Sequence, residues 1–561
     1  MVKLTAAGAR LGRPAGIAVA ALLALPAQSA PAQDFPASAS FAQLAGTSGC
    51  LVQPGFENGE GCARARAVRA ATALEVTPDQ RQVYVVSGVD PDGSNAIAGF
   101  AREQATGALT AAGCVSDTGG DGRVGTDGFC TDGDALRGAS DLAITPDGRF
   151  VYVVASSSSG VSWFERDATT AALTERGCLI VFARGDRCGA AGALIGASGV
   201  DVSADGAHVY VTAATDGAVT VFGRDQETGA LHEVMCVSDT GSEGRCVNGT
   251  GLAGASSVVV AADGADVYVT AAASGAVTSY RRDAATGRLS PSQCLVDQAP
   301  LQGSCRSAPA LAGASDAVLT SDGKQLLVAA ESDSALAVFN RDAATGSLEP
   351  VQCFTATGAA FGAGPASVEG CGPASALDSA TRLAVSRDGR AAFVVSPGDY
   401  LAAFQRDPAT GRIQQFGCAE QQITYEECFE SRNLDDARGL AVSTDGRNLY
   451  VATEEGVSVF AATIAIVGRT ATVRRGAIEA RLACPAARAR RCAGRLSIAG
   501  ARAVRAQRYE VRRGRSASVT LRLSARLRRA TRRHRRVRVT LVARDAGGLT
   551  AASRRRVALH R

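Results

Sequence analysis

In 561 residues the chain has only four histidines and two lysines, and no long apolar run. Each shortage excludes something. Crossing a bilayer as a helix takes about 20 consecutive apolar residues, and the longest candidate, Ile17 to Leu25, is too short, so no transmembrane segment is expected. There is no G-x-S-x-G, no H-E-x-x-H and no P-loop, which removes a nucleophile elbow, a zincin helix and a nucleotide cradle. His208 follows the Asp205-Gly206 turn and His232 starts an outer strand, so neither is expected at a central mouth. After Phe460 there is no Trp, Phe or Lys and a single Tyr, Tyr509, which leaves little to stack on bases. Nucleic acid is therefore not an expected partner.

Cysteine, by contrast, is abundant. The sixteen cysteines fall into eight close pairs: Cys50 and Cys62, Cys114 and Cys130, Cys178 and Cys188, Cys236 and Cys246, Cys294 and Cys305, Cys353 and Cys371, Cys418 and Cys428, Cys484 and Cys492. Connectivity does not follow from sequence alone, but the pairs recur in register with a repeat, so neighbour-to-neighbour disulfides are expected. The gaps exceed metal-knuckle spacing and no histidine accompanies them, which argues against zinc. Residues 1–32 read as a secretory signal: Lys3, Arg10 and Arg13, then the apolar Ile17 to Leu25, then Ala30-Pro31-Ala32. Export and an oxidising compartment go together, so a secreted or cell-surface protein is expected, as a monomer.

The repeat is the main signal. Asp-Gly-type turns recur at Asp79, Asp147, Asp205, Asp263, Asp322, Asp388 and Asp445. Each copy reads as four short strands rich in Val, Tyr, Thr and Phe; in the third they are Ser198 to Ser203, His208 to Ala213, Ala218 to Arg224, and one ending at Cys236. Seven such units predict an all-β, seven-bladed β-propeller over 33–460. Six copies keep an R-x-x-x-[TA]-[GA]-x-[LI] hairpin; the seventh stops at Phe460 without its fourth strand. Residues 41–50 have the shape of that missing strand, so the N-terminal segment is expected to complete the last blade and leave no open edge. From the second Cys of one pair to the first of the next the spacing is 52, 48, 48, 48, 48 and 47, while within these pairs it varies from 10 to 18. Fixed blades thus carry variable, stapled loops on one rim, the usual construction of a binding surface.

The tail, 461–561, holds 28 Arg against three acids, a net charge of +25; with +5 overall, the first 460 residues carry −20. Alternating segments such as Ser518-Val-Thr-Leu-Arg-Leu predict a small immunoglobulin-like β-sandwich. Its charge implies an anionic partner, a cell-envelope polymer or acidic lipid headgroups, or else the acidic propeller itself.

Candidate sites are fewer. At the start of the inner strands, Asp141, Asp316, Arg382 and Arg438 are the charged groups expected to face the central channel as a ligand pocket. The recurring Ser and Thr beside them would satisfy backbone groups between blades. Asp117, Asp121 and Asp127 lie in an acidic, glycine-rich loop that offers oxygen ligands to calcium, though without EF-hand spacing; no other cofactor is expected. The Arg-Asp pairs at the hairpins, such as Arg224-Asp225, are expected to cap turns.

Ile144-Thr-Pro-Asp-Gly-Arg-Phe-Val-Tyr-Val and Val221-Phe-Gly-Arg-Asp-Gln-Glu-Thr-Gly-Ala-Leu resemble the seven-bladed lactonase-like propellers and the related YVTN surface-protein repeats, over about 40–460. The resemblance implies the fold, and for the lactonases hydrolysis of a cyclic ester at the channel mouth, where enzymatic members are expected to place histidine and arginine. This chain offers arginine only, and its paired cysteines depart from the cytoplasmic lactonases. The sequence reading is therefore an exported binding or interaction module with an envelope-attaching tail; the alternative is a lactonase-type hydrolase.

Overall fold

The structure is a computed structural model. It describes residues 40–560 apart from 56–60, 89–92, 122–127, 183–186, 298–304, 357–369, 423–424, 426–427, 464, 468–469, 485–490, 502, 513–514, 535–536 and 546–551. The signal-like residues 1–32 and Asp127 lie outside this set.

Seven antiparallel blades form the propeller, and each gains one strand beyond the four expected. Blade 3 runs Ala197–Val202, His208–Ala213, Ala218–Arg224 and Leu231–Ser238, then adds Val247–Asn248 parallel to the outer strand. The extra strand is only two or three residues long in every blade. It follows the variable loop, and a disulfide ties the loop's two ends together, with Cys236 on the outer strand bonded to Cys246.

The same staple closes the loop of every other blade. Cys114 bonds to Cys130, Cys178 to Cys188, Cys294 to Cys305, Cys353 to Cys371 and Cys418 to Cys428. Cys50, on the N-terminal strand, bonds to Cys62, and Cys484 bonds to Cys492 in the tail. All eight expected neighbour pairings are therefore formed, none joins two blades, and no cysteine is left free. Eight disulfides belong to an oxidising compartment. No described helix is long and apolar enough to cross a membrane.

The second strand of each blade is buried throughout because both faces pack on neighbouring blades. Blade 7 takes its outer strand from the other end of the chain. Ser40–Gln43 and Cys50–Val52 both pair antiparallel with Gly456–Thr463, and the turn Gly46–Gly49 bulges out between them. The bulge lets five residues pass between Leu44, bonded to the Val459 carbonyl, and Cys50, opposite Ser458. Phe41 then stacks edge-on against Phe393 of blade 6, ring centres 4.8 Å apart.

The hairpin arginines do more than cap turns, which corrects the sequence reading. Asp225 does cap its own turn, accepting from the amides of Glu227 and Thr228. Its neighbour Arg224 reaches into the preceding blade, to Tyr152 at 2.8 Å. The same reach recurs around the ring: Arg282 to Tyr210 and Asp205, Arg341 to Tyr268 and Asp263, Arg406 to Gln325 and Asp322, Arg166 to Gln82 and Asp79, Arg102 to Tyr450 and Asp445. Each tyrosine hydroxyl in turn donates to a carbonyl of the same hairpin, as Tyr210 does to Gly287 at 2.9 Å. Guanidinium suits this place because it supplies five donors in a fixed fork.

The tail has its own β-sheet and a hydrophobic core around Leu482, Cys484, Cys492, Leu496, Leu521 and Leu559. Its eight strands form one continuous ladder, including a parallel pairing of Thr470–Arg474 with Ala552–His560. The sequence reading missed one helix, Ala525–Arg533. Ser524 caps it by accepting from the Leu527 amide, and Leu527 and Thr531, one turn apart, face inward.

Candidate functional site: the central channel

The inner strands surround a channel with a cavity of about 230 Å³. The inner strands of blades 1 to 5 begin at Ala71, Ala139, Ala197, Ala255 and Ala314, and Ala380 and Ala437 are the equivalent residues of blades 6 and 7; counted from these alanines, the second position carries a hydroxyl in six of the seven blades. Five of those hydroxyls bond the first carbonyl of the next blade: Thr72 to Ala139, Ser140 to Ala197, Ser198 to Ala255, Ser256 to Ala314 and Ser315 to Ala380, at 2.7–3.1 Å. They join blades together. Side chains alternate along a strand, so the third and fifth positions turn to the channel.

The third position holds Asp141, Asp316 and Arg382 in blades 2, 5 and 6, and all three line the cavity. Blades 3 and 7 have Gly199 and Gly439 there. A Cβ on Gly439 would lie 2.9 Å from the Thr72 carbonyl oxygen, so the approach of the next blade leaves no room for a side chain. The fifth position adds Glu75 and Asp201, which the sequence reading did not single out. Period-two alternation from Asp141 was the signal that points to them. Arg438 occupies the second position of blade 7 and does not line the cavity. Instead it pairs with Asp436 and, at 3.8 Å, with Glu454.

The four acids form two tiers. In the upper tier Asp141 accepts from the Val200 amide at 3.1 Å and Asp316 from Leu383 at 2.8 Å. In the lower tier Glu75 accepts from Ile144 and Asp201 from Val260, both at 2.8 Å. Each carboxylate thus satisfies an amide on the free edge of the next blade's inner strand, where ladder bonding ends. Burial dominates their ionisation. It pushes Glu75 up to about 8, against the Ile144 amide and with help from Asp201 and Asp141. It pushes Asp201 up to about 7, and Asp141 to about 6, where the positive charge of Arg382 restrains the rise. Asp316 is raised for the same reason and restrained by the same guanidinium. No described carboxylate lies within ion-pairing distance of Arg382, which among the described residues faces the cavity as its one cation.

The calcium-loop residues are engaged separately. Asp121 pairs with Arg66 at 2.6 Å, and Asp117 accepts from the Leu136 amide at 3.2 Å. Among the described residues the one cluster of three metal-ligating groups is Asp134, Glu175 and Cys178, and Cys178 is spent in its disulfide.

Residues 200–363 match the profile of the family described as "Lactonase, 7-bladed beta-propeller". The match is to the lactonase-type propellers. It spans parts of blades 3 to 5 and so includes Asp201 and Asp316 of the channel. Solved structures of lactonase-like propellers resemble the chain weakly. A putative 6-phosphogluconolactonase from Bacteroides fragilis is 16% identical, covers 66% of this chain and 85% of its own, and has a TM-score of 0.44. The periplasmic gluconolactonase of Pseudomonas aeruginosa is 20% identical, covers 68% of this chain and 96% of its own, with a TM-score of 0.44. No curated protein matches the chain significantly.

Proposed function

We propose that this lactonase-like propeller is an exported hydrolase that opens an uncharged, polyhydroxylated lactone in its central channel. One observation carries the reading: a single guanidinium set among four carboxylates whose ionisation is drawn toward neutrality, around a cavity of about 230 Å³. Perturbed acids clustered in a concave site suit proton transfer near pH 7. The family match supports this reading better than the binding-module reading of the sequence.

The roles divide by charge. Asp141, at about 6, is mostly ionised at neutral pH and takes a proton from the attacking water as the new C–O bond forms. Arg382 stabilises the oxygen of the tetrahedral intermediate. Asp201 or Glu75, at about 7 and about 8, holds a proton to give the ring oxygen when the ring C–O bond breaks. The product is the open hydroxy acid, and the transferred protons are re-exchanged through water. A negatively charged group on the substrate, such as a phosphate, would meet four acids and one arginine, hence the preference for a neutral lactone.

The test is pH-stat hydrolysis of δ-gluconolactone and of its 6-phosphate by the protein, above the spontaneous rates. The reading expects turnover of the neutral lactone and a kcat/KM at least tenfold lower for the phosphate. Equal or preferred turnover of the phosphate would reject the substrate class. No turnover of either would reject the hydrolase.

A further inference from the structure

Independently of the channel, the tail has an arginine surface that the fold does not use. On the helix Ala525–Arg533, Leu527 and Thr531 face the core, while Arg526, Arg528, Arg529, Arg532 and Arg533 are all exposed. No described acid pairs with any of the five; Glu510, for example, pairs with Arg491 instead. The helix instead holds like charges at spacings of three and four, 526/529, 528/532, 529/532 and 529/533, each mildly destabilising. The turn at Arg475-Gly476 joins the patch. Leu523 donates to the Gly476 carbonyl at 3.0 Å, and the stem of Arg528 lies over Gly476, where an added Cβ would sit 2.8 Å from its Cδ.

We propose that this surface docks a linear phosphodiester-linked polyanion. The five helical arginines spread over roughly 10 Å of axis at 1.5 Å per residue, which suits successive charges of a chain better than one small anion. Guanidinium forks match phosphate oxygens in pairs. A lipid surface fits less well, because the exposed face of the helix carries no large apolar side chain to insert. Single-stranded nucleic acid fits less well too, because it is held largely by bases stacked on aromatic rings and the tail's one tyrosine, Tyr509, is buried in its core.

The experiment measures binding of the full chain to soluble poly(glycerol phosphate) between 50 and 200 mM salt. Parallel arms use phosphatidylglycerol vesicles and duplex DNA at equal phosphate concentration. Releasing counterions makes log K fall linearly with log salt by about 0.7–0.9 per neutralised phosphate. The triple variant Arg526→Gln/Arg529→Gln/Arg533→Gln is expected to flatten that slope by about 2–3 and to weaken binding at 50 mM at least tenfold. The corresponding Arg→Lys variant, which keeps the charge, retains most of the slope. A charge-matched control on exposed propeller residues, Arg81→Gln/Arg288→Gln/Arg387→Gln, should bind as the wild type does. Equal weakening by the control and the tail variant would overturn the site. Tighter binding to vesicles or DNA than to the polymer would overturn the polymer.

Discussion

Replacing Arg282 by methionine tests whether the hairpin arginines are structural clamps between blades. The side chain is buried and uses all of its nitrogens: Nε donates to Tyr210 at 2.8 Å, Nη1 to the Gly264 carbonyl at 3.0 Å, and Nη2 to both Asp205 and His208 Nδ1 at 2.8 Å. Methionine keeps much of the buried stem but none of these bonds. Truncating one member of a buried charged pair costs about 3–5 kcal/mol. The Asp205 side chain is 44% exposed, so water screens that part of the interaction. Tyr210 also keeps its bond to Gly287. The net expectation is a loss of about 3 kcal/mol, read as a lower urea midpoint at unchanged m. Arg288→Met, exposed on the same hairpin, should stay within about 0.5 kcal/mol. A second readout is specific to the contact. Burial, then the charge of Arg282, holds His208 below the usual imidazole range, and a donor-only guanidinium fixes Nδ1 as an acceptor. Removing the charge should raise the His208 pKa by NMR. A stability within about 0.5 kcal/mol of wild type together with an unmoved His208 would refute the clamp.

Other expectations follow from the same contacts. Phe41→Ala removes the edge-on stack that holds the N-terminal strand on blade 6 and should cost about 3 kcal/mol; an unchanged melting temperature would place ring closure elsewhere. Glu75→Gln should stabilise the protein in alkali. A carboxyl whose folded pKa is raised costs nothing below its unfolded pKa of 4.5, and its penalty grows as pH rises to about 8. The variant should therefore match wild type at pH 4 and exceed it by up to a few kcal/mol at pH 9, and equal stability at both pH values would contradict the assigned burial. Asp205 titrates with the opposite sign. Its hydrogen bonds to Ser203, the Ala207 amide and Arg282 outweigh burial and hold it at about 2. Its contribution is complete above 3.8 and fades as pH falls toward 2, so Asp205→Asn should lose its destabilising effect in acid. Loss of the Cys178–Cys188 staple by double replacement with serine should cost about 2–3 kcal/mol, measured by denaturation under non-reducing conditions.

What the sequence shows well here is what is local and repeated. His208 to Ala213 and Ala218 to Arg224 are strands with the boundaries read from the Asp-Gly turn and the hairpin. The disulfide pairing was legible for the same reason: cysteines such as Cys294 and Cys305 sit in register with their blade, so one local solution serves every copy. The two-residue fifth strands were not legible, because they follow loops of variable length and are too short to show a period. The tail helix was hidden in an arginine run between strand-like segments, although Ser524 and the four-residue spacing of Leu527 and Thr531 mark it. In the channel, Asp141, Asp316 and Arg382 were visible as charges in a position otherwise held by small, uncharged residues. Glu75 and Asp201 needed the alternation followed two residues further. Arg438 was misplaced because it sits one position earlier, where the strand turns side chains away from the channel. The arginine clamps depend on which blade a hairpin faces, and that is a tertiary fact.

The central claim is that Asp141 and Arg382 act on a lactone together in the channel. Its most direct test is the pH dependence of kcat/KM for δ-gluconolactone in wild type, Asp141→Asn and Arg382→Gln. The wild type should show a bell, rising near pH 6 with Asp141 and falling between about 7 and 8 with Asp201 and Glu75. Each variant should lose about 100-fold or more, and Asp141→Asn should also lose the acidic limb. Full activity in either variant, or an acidic limb that survives Asp141→Asn, would contradict it.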